Sequence, residues 1–336
     1  MTSSNCRYAW ASIKCGNYGN DLIEWSLRQA LQIPDPYIVF DSFQPLDEQL
    51  IEQINSKCDF VLSPGCTILE LGHNIAYDRF NSIFVKKPCF GAAFMNSALS
   101  GRLSKLFHFL APPSYSARQI SSRQPDSRIA QSLSSPIGSR DPFTHITLIN
   151  KGYDSRLIGC PTLLSAEPIS QWRPVRGNRL VVSLSRLAMP TQIALLWSLR
   201  REWNVRLLVH NDYERTLTKV LKPWEFLTIV EYESAEQFLL EYKEADAVLT
   251  GRLHGALPAI RYGTPVILYG TVRDTRLSLF DYLGLPVYPL CLSLRDCIGS
   301  FKSSLPSSRP FDRVWALRQE FFSYASAYEI GVNYRL

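Results

Sequence analysis

Short runs of β-branched and apolar residues alternate along the chain with longer amphipathic stretches, and this alternation constrains the fold more than any other feature. Segments with strand character occur at residues 8–14, 37–40, 59–62, 88–94, 179–183, 205–210, 227–230, 245–250 and 265–269. Helical periodicity occurs at residues 21–31, 46–56, 97–109, 190–203, 213–222, 235–242 and 312–328. Strands that alternate with helices indicate βα units, so we predict an α/β fold with mostly parallel sheets.

A break in this alternation predicts the domain organisation. The length of 336 residues fits two domains of ordinary size. Residues 165–178 contain two prolines, two arginines and a tryptophan, and they are the best linker candidate. We predict Rossmann-like domains at residues 1–168 and 177–310 that face a cleft, and a C-terminal helix within 311–336 that packs across both. Ligands of such sheets bind beyond the carboxyl ends of the strands.

Residues 111–135 differ from the sequence around them, because they are rich in Ser, Arg, Pro and Gln and poor in apolar residues. This composition predicts a long surface loop. Two interpretations remain open for it, a plain insertion and a lid or substrate-binding loop.

The charge pattern favours small anionic substrates over nucleic acid. Lys and Arg number 36 against 30 Asp and Glu, which gives a net charge of +6. The basic residues are spread out and form no run or basic-aromatic stripe, so we expect no nucleic-acid partner. Arginine suits a two-point grip on carboxylate and phosphate groups.

The sequence also bears on location and metal content. It has no run of about 18 apolar residues, so no membrane-spanning helix is predicted. Residues 1–7 lack the charged-then-apolar order of a signal peptide, and we expect a cytoplasmic protein. The eight cysteines form no C-x-x-C pair, which indicates reduced thiols and no zinc site.

The strongest candidate site is the segment 249–255, where an apolar strand ends and a helix starts. Backbone N–H groups at a helix start attract phosphate, and Gly251 and Gly255 permit a ligand or a neighbouring strand to approach closely. Arg252 would add a positively charged guanidinium, and His254 would add an ionisable group at the same strand-to-helix junction. The competing interpretation is a surface arginine beside a capping histidine.

Other strand ends supply further candidates. The turn before the first helix carries polar residues that suit either a turn with a helix cap or a backbone cradle for a ligand, namely Asn17, Gly19, Asn20 and Asp21. Ser63 and Gly65 follow the third strand, where small residues allow close approach or simply form a turn. Arginines follow two strands of the second half and could face the cleft, namely Arg186, Arg273 and Arg276.

Taken together, these junctions resemble the polysaccharide pyruvyl transferase family over roughly residues 8–290. The motifs that carry the resemblance are Gly16-Asn17-Tyr18-Gly19-Asn20-Asp21, Asp59-Phe60-Val61-Leu62-Ser63-Pro64-Gly65, Ser139-Arg140-Asp141 and Thr250-Gly251-Arg252-Leu253-His254-Gly255 followed by Gly263-Thr264-Pro265. The run R-L-H-G-x-x-x-x-x-x-x-G-x-P is the most specific of them.

The resemblance implies a GT-B-like fold and a phosphoenolpyruvate co-substrate, with no cofactor and no metal. Members of the family transfer pyruvate as a ketal onto two hydroxyls of a sugar in a cell-surface polysaccharide or its lipid-linked or glycan precursor, and release phosphate. The first domain would be the acceptor side and the second the donor side. Arg252 and His254 would serve the donor, helped by Gly251, Gly255, Arg186 and either Arg273 or Arg276. A lipid-linked acceptor would bring the protein to a membrane surface.

Two alternatives stay open at this point. A GT-B glycosyltransferase would use the same arginine and histidine to grip the diphosphate of a nucleotide sugar. A non-catalytic protein that kept the fold would need neither residue, and the presence of Arg252 and His254 argues against it.

Overall fold

The computed structural model describes residues 6–13, 16–65, 68–69, 75–93, 127–164, 170–184, 190–218, 225–270 and 275–330. Within this part of the chain it confirms the predicted α/β class, with parallel sheets and a long C-terminal helix. The predicted helix at 97–109 and most of the predicted loop at 111–135 lie outside the described residues. The boundary at 165–169 also lies outside them, so the predicted domain limits remain a prediction.

The described residues of the first half form six short parallel strands. They are β1 (Tyr8–Ser12), β2 (Ile38–Asp41), β3 (Phe60–Leu62), β4 (Phe90–Ala92), β5 (Ile137–Ser139) and β6 (Ser155–Leu157). They form two groups, in the orders β2-β1-β3 and β4-β5-β6. The Val61 N–H donates to Lys86 O at 2.8 Å and the Phe90 N–H to Ser63 O at 2.9 Å, so backbone hydrogen bonds join the two groups edge to edge.

The second half contains one six-stranded parallel sheet. Its strands are β7 (Arg179–Ser183), β8 (Asn204–Leu208), β9 (Leu227–Val230), β10 (Ala247–Thr250), β11 (Val266–Gly270) and β12 (Val287–Pro289). Their order is β12-β11-β10-β7-β8-β9, which is the Rossmann arrangement. The order reverses between β7 and β10, and ligands of such sheets bind at the carboxyl ends of the strands on either side of this reversal.

Helices connect the strands as the alternation predicts. In the first half they are α1 (Tyr18–Leu31), α2 (Glu48–Lys57), α3 (Ser127–Ser132), α4 (Pro142–Asn150) and α5 (Pro161–Leu164), with a 3-10 helix at Ile75–Ser82. In the second half they are α6 (Pro190–Leu199), α7 (Asp212–Thr218), α8 (Ala235–Glu244), α9 (Leu253–Arg261), α10 (Ser278–Leu283), α11 (Leu294–Ser300) and α12 (Arg309–Ala327), with a 3-10 helix at Thr275–Leu277.

Side-chain caps fix several of these helix starts. Asn17 accepts a hydrogen bond from the Gly19 N–H, Asp47 from Leu50, Asp141 from Thr144 and Ser234 from Gln237. Such caps satisfy N–H groups that have no partner inside the helix. Each cap therefore fixes the residue at which its helix begins.

The structure corrects one expectation about residues 111–135. The end of that segment forms α3, which buries Ile129 and Ala130. The sequence gave a weak signal because six residues with two apolar side chains show no clear helical period. Packing against the 3-10 helix Ile75–Ser82 supplies the stabilisation that local sequence lacks.

The C-terminal helix α12 contacts both halves. The Tyr324 hydroxyl accepts hydrogen bonds from the N–H groups of Cys89 and Gly138, both at 3.2 Å, and donates to Pro136 O at 3.1 Å. At its other end, Arg313 donates to Tyr282 O in α10. The core follows the same pattern, since one buried apolar cluster runs from the first-half strands to α8, α9 and α10, and a second covers the opposite face of the second sheet.

Candidate functional site

The segment between β10 and α9 forms the strand-to-helix junction that the sequence predicts. Arg252 occupies the N-cap position of α9, and its backbone N–H donates to Thr250 Oγ1 at 2.9 Å. Its guanidinium is held at two points, by a bond from Nε to Leu184 O at 3.0 Å and by an ion pair between Nη2 and Glu214. Burial lowers the pKa of Arg252 to about 10, which leaves it protonated at neutral pH.

Gly251 and Gly255 have packing roles at this junction. The Gly251 N–H donates to Ser183 O at 2.9 Å and continues the ladder between β7 and β10. A Cβ on Gly255 would lie 2.3 Å from Thr250 Oγ1 and 2.5 Å from Ser183 Oγ, two hydroxyls that are themselves hydrogen-bonded at 2.7 Å. Only glycine lets the start of α9 approach the two strand ends so closely.

His254 lies at the centre of a basic cluster. Its Nε2 atom is buried and has no hydrogen-bond partner among the described residues. Burial lowers the pKa of this imidazole well below its ordinary value, and the nearby positive charges and second imidazole act in the same direction, namely Arg140, Arg276, His210 and Arg252. The ring is therefore neutral at neutral pH.

Arg140 is the functional candidate that the sequence reasoning missed. It follows β5, only 1% of its surface is exposed, and within the described part of the chain its three guanidinium nitrogens have no hydrogen-bond partner. The nearest carboxylate oxygen, on Asp141, is 3.9 Å from Nε, while Asp141 accepts bonds from the N–H and hydroxyl of Thr144 at 2.9 and 3.1 Å. A buried guanidinium whose N–H groups have no acceptor among the described residues is costly, so this geometry indicates a place for an anion.

Two contacts between the halves flank His254. On one side, the Tyr18 N–H donates to His210 O at 3.0 Å, and Tyr18 stacks on Tyr232 with ring centroids 4.2 Å apart. On the other side, the Ser278 hydroxyl donates to Asp141 Oδ1 at 3.3 Å. The ends of β5 and β10 and the start of α1 thus meet at this basic cluster.

The turn predicted before α1 belongs partly to the helix. The sequence predicts a helix start at residue 21, but α1 begins at Tyr18 because Asn17 caps it. Gly19 lies against His254, since a Cβ on Gly19 would be 2.5 Å from His254 Nδ1. Asn20 is buried, and Asp21 accepts a hydrogen bond from Tyr232, with burial raising the pKa of this carboxyl.

Ser63 and Gly65 have contacts that account for them as packing residues. Ser63 is fully buried and exchanges backbone hydrogen bonds with Pro88 and Phe90, which join β3 to β4. Gly65 has a φ of +75°, and a Cβ there would lie 2.0 Å from Phe90 O. Their small size therefore serves the close approach of the two strand ends.

The three remaining arginine predictions have different outcomes. Arg276 lies in the 3-10 helix after β11, and its charge acts on both His254 and Arg252, while its role at the cleft remains a prediction. Arg186 and Arg273 lie outside the described residues, so their placement remains a prediction. No cluster of three or more potential metal ligands occurs in the described ranges, and no helix there is both long and apolar enough to cross a membrane.

Comparison with known families identifies one match. The family model for polysaccharide pyruvyl transferase matches residues 17–271, which include both Arg140 and the Arg252–Gly255 segment. A comparison with curated proteins gives no significant match.

Solved structures share the fold at low sequence identity. A Listeria monocytogenes protein assigned as a UDP-N-acetylglucosamine 2-epimerase has a TM-score of 0.58 and 14% identity, and the match covers 97% of both chains. A UDP-N-acetylglucosamine 2-epimerase from Rickettsia bellii has a TM-score of 0.55 and 8% identity, covering 96% of both chains. The Methanocaldococcus jannaschii UDP-GlcNAc 2-epimerase with UDP-GlcNAc and UDP has a TM-score of 0.51 and 10% identity, covering 94% of this chain and 99% of that one. These similarities show the GT-B-like fold.

Proposed function

The chain belongs to the polysaccharide pyruvyl transferase family, and from this premise we propose that it transfers the enolpyruvyl group of phosphoenolpyruvate onto two hydroxyls of one sugar. The product is a pyruvate ketal on a cell-surface polysaccharide or its precursor, and inorganic phosphate is released. The acceptor is a sugar, a glycan or a lipid-linked saccharide. We propose that the reaction takes place in the cytoplasm, at a membrane surface when the acceptor is lipid-linked.

The observation that carries the proposal is the buried guanidinium of Arg140 near His254, whose nitrogens have no hydrogen-bond partner among the described residues. Phosphoenolpyruvate has a carboxylate and a phosphate, and a donor with two anionic groups suits a pocket with several cations. Arg140, Arg252 and Arg276 supply that charge, and Glu214 is the carboxylate that pairs with Arg252. Charge-assisted bonds to the donor would give Arg140 the partners that it lacks.

His254 is the candidate general acid of the reaction. In the ligand-free protein its pKa lies well below the ordinary value, because it is buried among cations. The negative charges of a bound donor offset the positive charges around His254 and raise the pKa of its imidazole, so His254 takes up a proton when the donor binds. The pocket thus protonates its acid only when the substrate is present.

The chemical steps balance with these groups. His254 gives a proton to the methylene carbon of the donor, and a sugar hydroxyl adds to the neighbouring carbon. The bond from this carbon to the phosphate oxygen breaks, and phosphate leaves with the electron pair. The second hydroxyl adds to the same carbon and closes the ring. Of the two hydroxyl protons, one replaces the proton given by His254 and the other leaves with the products.

A nucleotide sugar is the competing donor, since the structures of similar fold include one with UDP-GlcNAc and UDP. The discriminating experiment incubates the protein with a panel of sugar acceptors and either phosphoenolpyruvate or UDP-sugars. Pyruvyl transfer releases phosphate and increases the acceptor mass by one pyruvate less one water, and Arg140→Met and His254→Ala lose both signals. Release of UDP with a glycosylated acceptor would replace the proposal with glycosyl transfer.

A further inference from the structure

Glu214 lies against the proposed donor site but belongs to no motif described above. It is the third residue of α7 and is 1% exposed. Asn211 caps the helix by accepting the Glu214 N–H at 2.8 Å. The spacing Asn-x-x-Glu is that of a capping box, in which the glutamate side chain normally returns to the start of its own helix.

The Glu214 carboxylate divides its oxygens between the helix start and the site. Oε2 accepts the N–H of His210, the residue before the cap, at 2.8 Å, which varies the usual return contact to the cap residue itself. Oε1 points away from the helix start and accepts a hydrogen bond from Nη2 of Arg252, a residue 38 positions further along the chain. With the bond from Nε to Leu184 O, this ion pair fixes two of the three guanidinium nitrogens.

A buried ion pair contributes little net stability, because desolvation of both charges offsets their attraction. Capping alone would be served by an uncharged glutamine at this position. What a carboxylate adds is a fixed direction for the guanidinium of Arg252. The same segment also contacts the first half, since Asn211 pairs with Asn17 and His210 O accepts the Tyr18 N–H.

We propose that Glu214 is a positioning residue for donor binding, which holds the Arg252 guanidinium in the orientation that receives the anionic donor. This inference rests on the proposed function. It predicts that donor affinity depends on Glu214 only while Arg252 is present, whereas a role in capping alone predicts the same effect with or without Arg252.

The test is a double-mutant cycle read out as the Kd of phosphoenolpyruvate by calorimetry. Glu214→Gln is expected to raise Kd about tenfold in the wild-type background, equivalent to about 1.4 kcal/mol. In the Arg252→Ala background it is expected to change Kd less than about twofold. Asn211→Ala is the matched control, because it weakens the cap but leaves Arg252 its carboxylate. Its Kd should stay within about twofold of wild type.

Three results would overturn the inference while leaving the proposed function intact. These are an equal change of Kd in both backgrounds, an unchanged Kd in Glu214→Gln, and a lower Kd in that variant, which would make Glu214 a competitor of the donor. Glu214→Asp provides a second test if the glutamine variant does not fold, since its shorter carboxylate cannot serve both partners and should also raise Kd. Wild-type protein that binds no phosphoenolpyruvate would instead overturn the proposed function and the inference with it.

Discussion

Replacement of Arg140 with methionine is predicted to abolish the response of the protein to donor and to destabilise the ligand-free protein slightly. The guanidinium is 1% exposed and its nitrogens lack hydrogen-bond partners in the described part of the chain, so the folded state bears its desolvation cost. Removing one partner of a buried ion pair costs about 3–5 kcal/mol, because the other charge is left uncompensated. Asp141 loses a cation 3.9 Å away but keeps its bonds from Thr144, and the desolvation cost of Arg140 disappears, so we expect a smaller loss of about 1–2 kcal/mol.

Thermal denaturation with and without phosphoenolpyruvate measures both effects. Donor at about 100 times its Kd stabilises a binding protein by about 2.7 kcal/mol, and Arg140→Met should show none of this shift. Arg261→Met is the matched control, because Arg261 is also buried with two unpartnered guanidinium nitrogens but stacks on Tyr262 at the far end of α9. The control should respond to donor like wild type. An Arg140→Met protein that still responds to donor like wild type would refute the reasoning.

Three further predictions follow from the same site. His254→Ala should lower kcat by about 10²–10⁴-fold with less than about a tenfold change in donor Kd, measured by steady-state kinetics and calorimetry, and an unchanged kcat would remove it as the acid. Because its pKa is depressed before binding, donor binding near neutral pH should take up protons, visible as a dependence of the calorimetric enthalpy on buffer, whereas proton release would contradict the assigned sign. Gly255→Ala should lower the free energy of unfolding by about 1–3 kcal/mol in urea, since its Cβ would meet Thr250 Oγ1 at 2.3 Å, and unchanged stability would count against that packing.

The repeated βα pattern was sufficient to predict the architecture of the second half. The strand predicted at residues 227–230 is found with those bounds, and the predicted strand at 179–183 is β7. Strand β7 is buried from Leu180 to Ser183, and β9 buries Leu227 and Val230. Both contain β-branched residues, so their local signal agrees with their tertiary role. Short elements were missed for the opposite reason. Strand β12 has three residues, Val287–Pro289, and it is defined by pairing with β11 instead of by its own sequence.

The candidate site was predictable where chemistry and local structure coincide. Arg252 and His254 stand at a strand-to-helix junction that the sequence itself reveals. Arg140 could not be selected in this way, because in sequence it adjoins Asp141 and looks paired. The fold directs Asp141 towards Thr144 and Ser278, and leaves the guanidinium without a hydrogen-bond partner in the described ranges. The available signals were the strand end before Arg140 and the Ser139-Arg140-Asp141 motif of the family resemblance.

The most direct test of the central claim is a calorimetric titration of the wild-type protein with phosphoenolpyruvate, next to a titration with UDP-N-acetylglucosamine. If the cluster of Arg140, Arg252 and His254 is a phosphoenolpyruvate site, that donor binds at one site per chain and Arg140→Met abolishes the binding, while the nucleotide sugar gives no heat. Binding of the nucleotide sugar alone, or phosphoenolpyruvate binding that survives Arg140→Met, would contradict the account.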